Sequence, residues 1–320
     1  MRIKQLLIAV GIGTMLAACS SDDSSQLAVP DNSIRMKATI TSPATRATGS
    51  DYELQNSGNF YDDADDTYIN AYITETGTET AVEGQNEYGY LSYKPDSDGW
   101  FIPNDRSEGP YPKYPEGKAI DVYGIHPSSV TKSTSQFSVQ IDQRTAENYR
   151  KSDLMCANTT NHKSSYGTVF LPFKHCLSKI IVKIEGDEEV LPTIKNIQVY
   201  AKKTIGITHN QQTGITLGST IGNTGNIFIG DYDANGQSAI VVPQTITSSY
   251  SFISFESERN GNTVYYYYNV DSTGFELKAG HEHTITLSIN NSDVKIIANN
   301  ISPWTKEEGD DKDDTVSASW

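Results

Sequence analysis

The second half of the chain is cut into short segments, 179–184, 194–201, 214–217, 226–229, 238–242, 250–256, 262–270, 275–277, 283–289 and 294–301, each rich in β-branched or aromatic residues. They recur about every 8–15 residues, the spacing of a β-sandwich. Branched and aromatic side chains pack well on a pleated surface. The first half has the same texture over 67–74, 88–93, 100–102, 119–125, 136–141, 153–157 and 168–174, with turn clusters at 95–99 and 109–117 between several of them. Only 143–150 reads as a short helix, and long Leu/Ala/Glu/Lys runs are missing. The chain is expected to be all-β. Its 320 residues suffice for two domains with separate cores, and a change of domain near Cys176 fits the lengths.

The N-terminus carries a different signal. Arg2 and Lys4 precede a short apolar run over 6–16, which ends in Leu16-Ala17-Ala18-Cys19. This pattern is a secretory signal with a lipobox, so residues 1–18 are expected to be removed and Cys19 to be acylated. The alternative is an uncleaved signal anchor with an incidental cysteine. The run is shorter than the ~20 apolar residues that a transmembrane helix needs, and no other segment approaches that length. Residues 20–33 are polar and read as a tether, whereas 34–40 alternates apolar with polar residues and reads as a half-buried strand. A small-residue loop follows over 41–50, with Arg46 in it, and such loops are where proteases cut. Lys plus Arg total 25 against 40 Asp plus Glu, a formal net charge of −15. That balance disfavours nucleic acid and anionic lipid headgroups as partners.

Several features together resemble the Bacteroidetes fimbrillin (type V pilin) superfamily, specifically its Mfa-like branch. They are the lipobox at Cys19, the first strand followed by Thr45-Arg46-Ala47-Thr48-Gly49, Asp121 to Pro127, Ser152-Asp153-Leu154-Met155, Phe173 to Ile180, Val241 to Thr245, Phe275 to Gly280, and Ile301-Ser302-Pro303-Trp304. The resemblance implies two tandem transthyretin-like β-sandwiches, over 47–176 and 177–304. It also implies a lipoprotein precursor whose first strand, within 19–46, an arginine-specific protease removes so that a neighbouring subunit's strand fills the groove. Ser20-Ser21-Asp22-Asp23 looks like the family's signal for export to the outer face. Processing is then expected at Arg46 rather than Arg35, because a cut at Arg35 would leave the strand in place; an ordinary loop arginine is the alternative. Partners implied are other fimbrial subunits, outer-membrane lipid through Cys19 before processing, and a surface ligand of unknown identity. Residues 305–320 form an acidic spacer and a tail in which Val316, Ala318 and Trp320 would share one face of a donor strand. A tail docked on its own domain or frayed is the competing reading, so stalk and tip positions both stay open.

Cys156 and Cys176 each lie beside an expected strand, and in an oxidising compartment they either pair or remain small buried thiols. Asp231-Tyr232-Asp233-Ala234-Asn235-Gly236 imitates the start of a calcium loop, but Val242 stands where the bidentate Glu belongs, and Asn235-Gly236 reads as a turn. His281 and His283 would share a strand face without the further ligands that zinc needs. The run Tyr265-Tyr266-Tyr267-Tyr268 puts tyrosines on both faces of one strand, one pair packed and one exposed. No G-x-S-x-G, P-loop, H-E-x-x-H or C-x-x-C motif occurs, so neither catalysis nor a cofactor is expected. The other reading of function is a monomeric outer-membrane lipoprotein that binds glycan through exposed tyrosines.

Overall fold

The computed structural model describes residues 32–40, 67–95, 100–104, 111–248, 251–290 and 293–304. The first half contains β1 (Met36–Ile40), β2 (Ile69–Glu75), β3 (Tyr90–Pro95), β4 (Trp100–Pro103), β5 (Ile120–His126), β6 (Gln136–Ser138), β7 (Met155–His162) and β8 (Val169–His175). All but β6 join in one closed circuit, β1-β4-β3-β2-β5-β7-β8. Strands β2 and β5 are buried on both faces for nearly their whole length. The two-residue period of a strand explains why. Ile69, Ala71, Ile73, Ile120 and Val122 point into the core enclosed by the circuit, while Tyr72, Tyr123 and Ile125 point into the core of the second half.

That second core lies within β9 (Ser178–Glu185), β10 (Lys195–Asn210), β11 (Gly214–Gly230), β12 (Gln237–Val241), β13 (Gln244–Ile246), β14 (Ser251–Arg259), β15 (Asn262–Asn269), β16 (Phe275–Leu277), β17 (His281–Asn290) and β18 (Asp293–Pro303). One sheet runs β11-β10-β14-β15, with β6 added to β10, and the other runs β12-β9-β17-β18. Val199, Ile227, Ile253 and Phe255 of the first share a continuous core with Ile180, Val182, Ala239 and Ile285 of the second. The chain is all-β, as expected. Among the described residues the single α-helix, α1 (Ala146–Ser152), is capped by Thr145, whose hydroxyl accepts the Asn148 N–H, and it buries Tyr149. It starts later than the expected 143–150. Gln143 is 1 % exposed, and its side-chain amide pairs with both backbone groups of Ile240, at 2.8 Å each.

The first strands of the two halves occupy matching places. β1 lies between β4, antiparallel, and β8, parallel. β9 lies between β12, antiparallel, and β17, parallel. The motif residues at the junction knit the halves together. His126 Nδ1 lies 2.8 Å from the Asp153 carbonyl oxygen, and the Asp153 carboxylate lies 2.8 Å from His175 Nδ1. The His175 ring stacks on Trp304 at 3.9 Å, and the Trp304 N–H donates to the Gly280 carbonyl at 2.7 Å.

The greatest departure from expectation is β10–β11. Residues 194–201, 214–217 and 226–229 are parts of one long hairpin, paired from Ile197↔Gly230 to Asn210↔Gly214 with three register shifts. Its outer arm is rich in Thr, Gly and Asn and largely open to solvent, so it has no apolar alternation to mark it as strand.

Candidate strand-exchange site

The alternation that marks 34–40 as a strand also decides which of its side chains turn inward. Ile34, Met36 and Ala38 are almost completely buried, at 1 %, 1 % and 2 % exposure. They enter the core of the circuit beside Phe101, Tyr114, Val169 and Leu171. On the other face, the Arg35 guanidinium lies 4.9 Å and the Lys37 ammonium 5.4 Å from the centre of the Trp100 ring, a pair of cation–π contacts across β1 and β4.

The backbone is held at both ends. The Ile34 N–H donates to the Pro112 carbonyl (2.8 Å), the Tyr114 N–H to the Asn32 carbonyl (3.0 Å), and the Val169 N–H to the Arg35 carbonyl (2.9 Å). The ladder with β8 runs from Met36↔Val169 to Ile40↔Phe173, whereas β4 contributes only Met36↔Phe101 and Lys37↔Trp100. On its other side β8 pairs with β7 only at Met155↔His175 and Cys156↔Lys174. β1 therefore supplies most of the ladder that β8 makes. Pro172, which has no N–H, lies in the middle of β8 opposite Thr39. Proline in a strand belongs to sheet edges, and without β1 the strand β8 would be an edge.

The sequence reading locates β1 but not the walls of its groove. Trp100, Phe101, Leu171 and Phe173 are visible only as strand residues; the alternation Val169, Leu171, Phe173 is the one signal of their inward direction. Gly124 also serves the groove wall, since a Cβ there would lie 2.9 Å from the Phe173 ring. Cys19, Arg46, Val316, Ala318 and Trp320, named above as sites, lie outside the described residues.

The remaining candidate residues are distributed as follows. Cys156 on β7 and Cys176 just after β8 are free thiols with sulfurs 3.6 Å apart. The hydrogen bond between them holds Cys156 below the ordinary thiol range and, together with burial, raises Cys176. Asp231 and Asp233 use carboxylate oxygens to accept the N–H groups of Asn196 (3.0 Å) and Asn235 (2.7 Å), so the calcium-like run is a hydrogen-bonded turn. His283 is fully buried and accepts the Lys278 N–H on Nε2 at 2.9 Å; burial, then the nearby His281, pushes its pKa down to about 4. Glu282, between the two histidines, pairs with the buried Lys179 at 3.0 Å. Among the described residues no group of three or more His, Cys, Asp or Glu side chains is placed to hold a metal ion. Tyr265 and Tyr267 are exposed, while Tyr266 is buried and stacks on Phe255 at 5.2 Å.

A family model described as fimbrillin-like matches residues 45–304. The chain belongs to the fimbrillin-like family. It is accordingly a structural protein of a cell-surface appendage and not an enzyme. The match begins after β1. No curated protein matches the chain. Among solved structures, a proposed cell adhesion protein from Bacteroides ovatus has a TM-score of 0.60 at 16 % identity, covering 86 % of this chain and 99 % of its own. Another from Bacteroides uniformis has a TM-score of 0.58 at 19 % identity, covering 85 % and 99 %. The tip fimbrial protein Mfa3 from Porphyromonas gingivalis has a TM-score of 0.42 at 11 % identity, covering 84 % and 100 %. At these identities the first two likenesses concern the fold of the fimbrillin-like chain.

Proposed function

We propose that this fimbrillin-like chain is exported as a lipoprotein acylated on Cys19, cut after Arg46, and built into a fimbrium by exchange of its first strand. The observation that carries this reading is the position of β1. It is the first strand among the described residues and closes the circuit between β4 and β8, and it connects to the rest of the fold through the segment that contains Arg46. Removing it strips most of the ladder from β8 and opens the core pockets of Ile34, Met36 and Ala38. Exposing the two larger side chains costs on the order of 3–6 kcal/mol of apolar burial. Unpaired strand edges add to that cost. A donated strand with the same alternation relieves both terms at once.

In this reading residues 47–176 and 177–304 are tandem sandwich domains of transthyretin type. The matching placement of β1 and β9 supports a shared plan. β9 follows β8 after only Cys176 and Leu177, so it stays in place, whereas β1 has a long connection before β2. Val316, Ala318 and Trp320 are the donor residues if the subunit occupies the stalk, and they are dispensable if it caps the tip. Cys156 and Cys176 pair once the chain reaches an oxidising compartment. The test is Arg46→Ala expressed in the native cell. The variant is expected to accumulate as an acylated monomer at the membrane and to be missing from shed filaments; normal incorporation would refute the cleavage assignment.

A further inference from the structure

An open cleft of about 480 Å³ lies between the 76–90 excursion and the 131–133 loop, lined by Tyr72, Glu79, Tyr88, Tyr90, Thr131 and Lys132, among others. We propose that this cleft binds a saccharide, with a pyranose ring seated on the tyrosine faces and its hydroxyls between Glu79 and Lys132. The volume lies within the ~300–1,000 Å³ of small-molecule sites.

The tyrosines form a stair from core to solvent. Tyr72, 4 % exposed, is the floor; the Tyr90 ring is 5.1 Å from it, and Tyr88, 72 % exposed, is 6.4 Å from Tyr90. A single exposed aromatic is common, but the backbone that carries this one is held in a hydrogen-bonded turn. The Asn86 side-chain oxygen accepts the N–H groups of Tyr88 (3.0 Å) and Tyr90 (3.1 Å), and the Gly89 N–H donates to the Asn86 carbonyl (2.9 Å). Gly89 has φ +75, which a side chain would strain, so the turn is specified by the sequence Asn86-Glu87-Tyr88-Gly89. A backbone that presents the aromatic platform before a ligand arrives has less ordering to lose on binding.

The polar end is equally constrained. The Lys132 ammonium lies 4.6 Å from the centre of the Tyr72 ring and donates to Gln211 Oε1 at 2.6 Å. Gln211 in turn donates to the buried Thr74 hydroxyl at 2.6 Å. Glu79 Oε2 is 3.9 Å from the same ammonium, too far for a direct hydrogen bond. Adjacent sugar hydroxyls can donate to that carboxylate and accept from that ammonium, while the C–H face of the ring lies on tyrosine, whose π-face carries negative charge. A proline-rich peptide would use the aromatic stair but offers no hydroxyls to the Glu79–Lys132 gap, so the saccharide is favoured.

Strand β4 intervenes between β1 and β3, whose first residue Tyr90 lines the cleft, so a donor strand seated on β4 and β8 leaves the cleft open. The proposal adds a ligand class to the fimbrial role, and the purified monomer carries it whether or not strand exchange occurs. The test is binding of purified Cys19→Ser protein to an array of immobilised mucin O-glycans, N-glycans and bacterial polysaccharides, followed by calorimetric titration of the strongest hit and of a decaproline peptide. The expected result is a glycan hit that Tyr88→Ala weakens about tenfold and Glu79→Gln weakens severalfold, while Tyr267→Ala on β15 has no effect. Circular dichroism of each variant should match the parent. An array without a hit, a hit indifferent to both cleft variants, or binding of decaproline in place of glycan would overturn the proposal.

Discussion

Gln143 performs at a single position what a strand performs along its length. Its buried amide pairs with both backbone groups of Ile240, and Gln244 does the same for Lys202, at 2.9 and 3.0 Å. Gln85 treats Ile73 alike. Gln143→Ala leaves a buried N–H and a buried C=O without partners, and is expected to cost roughly 2–4 kcal/mol in urea-melt stability. A loss well under 1 kcal/mol would mean that water or a neighbour replaces the amide. None of this is legible beforehand, because a glutamine before Glu147 and Arg150 reads equally well as helix. His283 illustrates burial acting on charge. Its folded pKa is depressed to about 4, below the ordinary histidine value, so the unfolded chain binds the proton first. The contribution of His283 is complete above about pH 6.5 and is lost as the pH falls toward 4, by on the order of 3 kcal/mol in total. His283→Gln should remove that component, read as the difference between parent and variant urea midpoints at pH 7 and pH 4.5. Parallel pH profiles would contradict the assignment.

Among the secondary elements, β1 makes the sharpest prediction. Met36→Ala empties a fully buried position in the precursor, and is expected to lower its stability by about 2–5 kcal/mol. If β1 is discarded, the same change leaves assembled filaments as stable as the parent, measured by heat dissociation. Filaments weakened to the same degree would mean that β1 stays in the fold. The two cysteines lie at the opposite end of β8 from its start, and a bond between them would tie β7 to the chain just after β8. Surface-derived protein, alkylated without reduction and analysed by mass spectrometry, is expected to show both thiols blocked as a disulfide; full alkylation would show that they remain free. The elements that face one core and one solvent layer were readable, β1 and most of the second half above all, since their alternation is strict. The outer arm of β10–β11 was not, because polar residues on both faces leave no period, and its pairing comes from the partner strand. The sequence pattern puts Tyr88 at the start of a strand; Gly89 at φ +75 turns it into the rim of a cleft instead.

Taken together, these parts describe a subunit whose first strand closes one circuit of an otherwise continuous structure. The second half shares its core with Tyr72, Tyr123 and Ile125 of the first, and His175 stacks on Trp304 across the junction, so these contacts do not depend on β1. A net charge of −15 disfavours unspecific association of monomers and leaves assembly to a directional contact. The side chains of the groove are aliphatic and aromatic, a chemistry that accepts any strand with small or apolar residues at alternate positions. The most direct measurement is N-terminal sequencing and intact mass of the subunit recovered from purified fimbriae. The account predicts a chain that begins at Ala47, with Met36–Ile40 and acylated Cys19 both gone. Filament subunits that still carry Met36–Ile40 paired with their own β8 would contradict it.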